Sequence, residues 1–215
     1  MKFNSRAEWL AARKNGIGGS DAGAVLGIDP WKSNVDIFRF KTGKAQQPDI
    51  SGKEAVKYGI AAEPLLRELF ALDFPQYIVE YEEFNLHQHP VHPFIQASLD
   101  AYLTHRESGA KGFLEIKTTE ILRASDRAKW DGKIPQNYFA QVVHYFLARP
   151  DFSFAWLKVQ MRIRKDGDVY CETKHFYFER KALLEDIQAL EAAEVKFWNE
   201  HVLPNKEPAL LLPRI

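Results

Sequence analysis

Residues 112 to 120, GFLEIKTTE, read as a buried β-strand except at Glu115 and Lys117, two opposite charges flanking Ile116. Side chains alternate along a strand, so Glu115 and Lys117 share one face while Leu114 and Ile116 point to the other. A strand of this kind folds only where its polar face meets further polar groups. Those groups have to come from elsewhere in the chain. The segment THRESGAK just upstream is polar and contains Gly109, which makes a hairpin the simplest connection to the preceding run FIQASLDAYL, 94 to 103. A hairpin symmetric about Glu107 and Ser108 sets Asp100 across from Glu115, Leu99 across from Ile116 and Ser98 across from Lys117. Two carboxylates that close repel one another unless a cation lies between them.

The flanking pattern gives a mixed α/β chain. SRAE at 5 to 8 is a capping box opening a helix to about Lys14, and Gly16, Gly18 and Gly19 then break it. A short helix starts at Ser20-Asp21, another covers about Val35 to Lys41, and Lys53 to Asp73 is helical with a kink or fresh start at Pro64. Strands follow at 77 to 84, 94 to 103 and 112 to 119. ILRASDRAKW and PQNYFAQVVHYFLA are helical, FSFAWLKVQMRI and VYCETKHFYFE return to strand around RKDGD, and a helix runs from Lys181 to about His201. The expected architecture is one domain over residues 1–215: a helical part to about 75, a sheet core of about five strands from 76 to 180, and a C-terminal helix and tail. The Pro-punctuated tail either docks on a neighbour or covers its own core, the second being the expectation.

Composition excludes several classes. A chain 46% hydrophobic and 13% aromatic buries a core rather than remaining disordered. Cys171 is the lone cysteine, so there is no disulfide scaffold. No apolar run approaches the roughly 20 residues that cross a bilayer and no signal peptide is visible, which sets the expectation of a cytoplasmic protein without a membrane partner. Formal net charge is zero, but residues 1 to 67 and 101 to 180 each carry +4 while 68 to 100 carry −6. Such segregation suits a cationic groove around an acidic centre, and also suits an ordinary solvated surface.

Two carboxylates with a backbone carbonyl, that of Ile116, and water suit a hard divalent cation such as Mg²⁺, with Mn²⁺ able to replace it. Lys117 beside them is placed to orient an attacking water or to offset charge growing on a phosphate. The histidines of HQHPVH (His87, His89, His92) invite a zinc reading, but Pro90 and Pro93 mark a loop and no cysteine lies near. Ser20 lacks the setting of a serine hydrolase nucleophile. Trp130 and Tyr138 are candidate base or backbone contacts for a nucleic acid, although aromatics at helical spacing more often fill a core.

Taken in order, WLAARKNGIGGSDAGAVLG, YGIAAEP, ASLDA, LEIKTT and WDGKIPQNYFAQVVHY resemble the phage lambda-exonuclease-like (YqaJ-type) viral recombinases, a branch of the PD-(D/E)xK nuclease superfamily. The resemblance runs from about Arg6 to Met161. It implies that Asp100, Glu115 and Lys117 form the D…ExK core, that Glu63 adds a carboxylate on the metal side, and that Gln141 borders the site. Leu99 stands where the superfamily motif has proline. Arg13 with Gly19 and Ser20 would form the pocket for the 5′-phosphate of a duplex end, with Asp21 turned away to cap its helix. Also implied are exonucleolytic removal of one strand of double-stranded DNA from its 5′ end, a single-strand annealing protein as partner, and a ring-shaped homotrimer. An endonuclease of the same superfamily and a non-catalytic DNA-end-binding module are the alternatives.

Overall fold

The fold is taken from a computed structural model that describes residues 3–165 and 167–211. Ser5 caps helix α1 (Arg6–Arg13), its hydroxyl accepting the Glu8 N–H at 3.2 Å. The glycine-rich turn that follows carries a two-residue strand β1 (Ile17–Gly18) straight into helix α2 (Gly19–Val25). Ser33 and Asp36 cap helix α3 (Asn34–Lys41) reciprocally. Helix α4 (Glu54–Asp73) passes through Pro64 without ending, where the sequence predicts a kink or restart.

The remaining strands are β2 (Tyr77–Glu80), β3 (His87–Gln88), β4 (Ile95–Ala97), β5 (Ala101–His105), β6 (Lys111–Ile121), β7 (Phe154–Lys165) and β8 (Asp168–Glu179). Helices α5 (Ala124–Ala128) and α6 (Gln136–Ala148) lie between β6 and β7, and α7 (Leu184–Phe197) follows β8. A five-stranded sheet runs β2-β5-β6-β7-β8, antiparallel except at β6 and β7, which are parallel and joined through α5 and α6. This is the expected mixed α/β architecture. The β5–β6 ladder pairs Ala101 with Leu114 and Thr104 with Lys111, the register anticipated from the hairpin's midpoint.

The run 94 to 103 is not one strand, contrary to expectation. It divides into β4 and β5, and β4 belongs to a second sheet of order β1-β4-β3. Asn85 causes the break: its side-chain carbonyl accepts the Leu99 N–H at 2.7 Å and its amide donates to the Leu99 carbonyl at 2.9 Å. Leu99 needs no strand partner once both its backbone groups are satisfied. Leu99 and Ser98 therefore do not pair with Ile116 and Lys117, and Leu99 packs with Phe113 and α6 rather than beside Ile116. Two shorter differences have similar origins. Strand β2 stops at Glu80, and β6 runs on to Ile121, held by β7, so that the helix expected from Ile121 shrinks to α5.

The five-stranded sheet is covered on both faces. Phe113 and Ala155 pack against Val142, Val143, Phe146 and Leu147 of α6 and Ile187 and Leu190 of α7. Ala101, Leu103, Leu114 and Ile116 pack against Ala62, Leu66 and Phe70 of α4. As far as Leu211 the tail lies back on the N-terminal helices as expected, with the Asn34 amide donating to Ala209 at 2.8 Å and its carbonyl accepting the Leu211 N–H at 3.0 Å; its last residues lie outside those described. Among the described residues no helix is long and apolar enough to cross a membrane.

Candidate active site

The pleat of β6 sends Phe113, Glu115 and Lys117 toward α6 and Leu114 and Ile116 toward α4. Asp100 sits one residue before β5, and its Oδ2 accepts the Ile116 N–H at 2.8 Å, which fixes that carboxylate against the strand. Glu115 is only 2% exposed. Its Oε1 meets Lys117 Nζ at 2.6 Å and accepts from Gln141 Nε2 at 2.7 Å; the same Gln141 nitrogen lies 2.8 Å from the Tyr145 hydroxyl. Glu115 Oε2 is buried and, among the described residues, receives no hydrogen bond.

A buried carboxylate oxygen without a donor is costly unless it carries a proton or meets a cation. Burial, and then the neighbouring Asp100 charge, push the Glu115 carboxyl up to about 8, against the pull of Lys117. Burial likewise raises Asp100, although Lys117 and the Ile116 N–H act the other way. Glu63 on α4 responds to the same charges: burial and Asp100 raise it, while Arg67 and Lys117 lower it. Burial lowers the Lys117 ammonium's hold on its proton, but Glu115 and Asp100 outweigh burial and raise it. Three carboxyls resisting ionisation around one ammonium are what a site short of positive charge looks like. Asp100, Glu115 and Glu63 are the oxygen donors available here to a hard divalent cation.

The structure brings together Asp100, Glu115, Lys117, Glu63 and Gln141, five of the expected site residues. It adds two that the sequence reading missed. Arg67 donates to Glu63 at 2.7 Å with its guanidinium 3.6 Å over the Tyr81 ring, and Tyr145 anchors Gln141. The i,i+4 spacing of Glu63 and Arg67 on a helix was the available signal for the first.

The turn 16 to 21 abuts this cluster. A Cβ on Gly19 would lie 2.4 Å from Tyr145 Cε1 and 3.0 Å from Gln141 Cγ, so only glycine allows so close an approach. Arg13 reaches the same turn, with Nη2 3.8 Å from the place of a Gly18 Cβ and its guanidinium 4.4 Å over Trp9. Asp21 accepts the Gly18 N–H at 3.2 Å, capping the helix as expected. Burial favours the neutral acid, but Lys41 at 2.9 Å and Lys32 at 3.3 Å hold Asp21 far below the usual carboxylate range. Ser20 is exposed, and its carbonyl accepts from Lys32 Nζ at 2.8 Å.

Trp130 corrects one expectation. It is 3% exposed among Ile121, Leu157, Val159 and Met161, and so belongs to the core rather than to a nucleic-acid surface. Tyr138, stacked on it, stays half-buried with Lys117 Nζ 5.5 Å from its ring centroid. The histidines are spoken for locally. His87 lies between Tyr102 at 2.6 Å and Arg149 at 3.0 Å, and burial lowers it to about 4, so it is neutral. His89, His92 and Glu191 converge within 4.8 Å. However, His89 Nδ1 accepts the His92 and Val91 N–H groups, leaving the proton on Nε2. A metal-bound imidazole donates through its second nitrogen, the opposite polarity. The cluster reads as a loop fastened to α7.

Two solved structures share the fold. An alkaline exonuclease from Laribacter hongkongensis superposes with a TM-score of 0.59 at 18% identity, covering 90% of this chain and 93% of its own. A phage related exonuclease from Haemophilus somnus 129PT gives 0.57 at 12% identity, covering 89% and 96%. In sequence, the chain is 32% identical over 208 residues to Bacillus subtilis (strain 168) YqaJ, itself an uncharacterized protein; the match covers 96% of this chain and 59% of that relative's length. Residues 8–148 match the model of the YqaJ-like viral recombinase domain. With its sheet, its carboxylate cluster and these likenesses in agreement, the chain belongs to the YqaJ-like viral recombinase domain family.

Proposed function

We propose that this protein is a Mg²⁺-dependent deoxyribonuclease that engages the end of double-stranded DNA and hydrolyses one strand from the 5′ end, leaving a 3′ single strand for an annealing protein. The observation that carries the reading is the buried Glu115–Asp100 pair, with Glu115 Oε2 lacking a donor and Lys117 2.6 Å from Oε1. Family membership and the exonuclease fold support it. In the same reading the protein works as a homotrimer around the duplex, in the cytoplasm of a bacterial host.

Asp100, Glu115, Glu63 and the Ile116 carbonyl would hold the cation, Mg²⁺ or Mn²⁺, which supplies electrostatic stabilisation of the charge that develops on the phosphate. The protein's own groups do the rest. Gln141 and Tyr145 fix the orientation of Glu115, so that its position does not depend on the DNA. Lys117 stays protonated at neutral pH and is positioned to orient the attacking water or to offset negative charge on a non-bridging phosphate oxygen. Arg13, with the turn at Gly19 and Ser20, forms the terminal-phosphate pocket beside them.

The test is one digestion series: linear duplex with phosphorylated or dephosphorylated ends, and covalently closed circles, with and without Mg²⁺, read for strand-specific loss. Mg²⁺-dependent loss of the 5′-ended strand from linear duplex alone is expected. Cutting of circles would reveal an endonuclease, and binding without turnover a non-catalytic end-binding module. Lys117→Ala should abolish cleavage while leaving DNA binding intact; near-normal turnover in that variant would overturn the assigned role.

A further inference from the structure

Trp31 is the one exposed tryptophan among the described residues: 71% of it is open to solvent, on a loop between α2 and α3. The loop is built to hold it still. Asp29 Oδ1 accepts the N–H groups of both Trp31 and Lys32, at 2.8 and 2.9 Å, and Pro30 between them restricts the backbone. The N–H groups of Ile28 and Asp29 both donate to the Gly23 carbonyl, at 2.8 and 3.1 Å, which fastens the loop's base to α2.

The loop also lies at the rim of the candidate active site. A Cβ on Gly23 would touch both Asn137, in the first turn of α6, at 3.1 Å and Asp29 at 3.6 Å. The next α6 residue, Tyr138, carries Lys117 over its ring. On the other side Lys32 reaches the Ser20 carbonyl and Asp21, so the loop joins the turn read as the phosphate pocket. A solvent-facing indole on a backbone pinned by Asp29, next in sequence to Lys32, matches one class of ligand well: a base with a polyanionic backbone attached. Every nucleobase offers a π-face, and such stacking does not depend on sequence.

We infer that Trp31 is a base-stacking residue that holds a nucleobase at the end of the DNA while its backbone lies along the Arg13–Ser20 turn. This rests on the nuclease reading above, and it adds a contact that the carboxylate cluster does not require. The test measures binding without turnover. Wild-type, Trp31→Ala and Trp31→Phe proteins are titrated in EDTA with a linear duplex carrying 2-aminopurine as its terminal base, and with a closed circle. Wild type should quench the terminal base on binding. Trp31→Ala should lose the quench and weaken end binding by about 5- to 150-fold, the range for one base–aromatic stack, with circle binding unchanged, and Trp31→Phe should recover both. If Trp31→Ala quenches and binds like wild type, the inference is wrong while a silent Lys117→Ala still supports the nuclease. If Trp31→Ala instead changes the protein's mass in solution, the indole lies between copies of the chain, and the inference is again wrong. Failure of wild type to bind linear ends would remove both readings together.

Discussion

Glu115 shows how one residue can make a site both costly and useful. Its carboxyl rises from 4.5 to about 8, because burial and then Asp100 penalise the ionised form. Between those two values the folded protein holds a proton that the unfolded chain has released. The sign follows directly: this contribution to stability is complete below 4.5 and is lost as pH climbs through about 8. In EDTA, thermal or denaturant unfolding should therefore report a stability that declines across that window. Glu115→Gln, neutral at every pH, should flatten the decline, and Mg²⁺ should flatten it in wild type by stabilising the ionised carboxylates. A decline of equal slope in Glu115→Gln would mean that another group carries it. The same proton predicts that cation binding tightens as pH rises, since the ion displaces it.

At the scale of elements, the site depends on how α6 is held over the sheet, and a buried ion pair does part of the holding. His144 on α6 and Glu194 on α7 are both 0% exposed, 2.7 Å apart, and the second ring nitrogen of His144 meets the Gln96 carbonyl of β4 at 2.8 Å. Burial alone would lower His144, but Glu194 more than reverses this and raises it. Glu194→Gln should cost about 3–5 kcal/mol in denaturant unfolding, the usual penalty for removing one partner of a buried pair. Replacing both residues by leucine should cost less than the sum of the single changes. Little of this was legible in the sequence, because His144 and Glu194 lie fifty residues apart and nothing local marks them as partners. The β5–β6 hairpin was legible for the opposite reason. Its alternation and turn are local, and they fixed the register, which runs from Thr104–Lys111 to Ala101–Leu114 and leaves Asp100 just beyond it, bonded to the Ile116 N–H. Asn85 marks the boundary between the two cases: it interrupts a run that alternates like a strand, through contacts with a residue 14 positions away. Glu63 and Gln141 were reached through family resemblance rather than periodicity, since helices bring them in from outside the sheet.

For the molecule as a whole, 29 basic and 29 acidic residues cancel, so no long-range field draws the protein toward DNA. Attraction has to be local, and the cations near the proposed end pocket are few: Arg13, Lys32, Lys41 and, across the cluster, Lys117. Asp21 already neutralises part of Lys32 and Lys41. Arg13 differs, being paired among the described residues with the Trp9 ring rather than with a carboxylate, so its charge remains available to a phosphate. Each phosphate neutralised releases counterions and steepens the salt dependence by about 0.9 on a log–log plot for duplex DNA. End binding by the wild type in EDTA should therefore show a shallow slope set by a handful of contacts. Arg13→Ala should reduce that slope by about 1 and should also make 5′-phosphate and 5′-hydroxyl ends equivalent. The two readouts separate local from general attraction. A lost end preference with an unchanged slope would mean that Arg13 shapes the turn without touching phosphate. A reduced slope with the preference intact would move the terminal phosphate to another part of the surface, and Gly19 and Ser20 would leave the binding site with it.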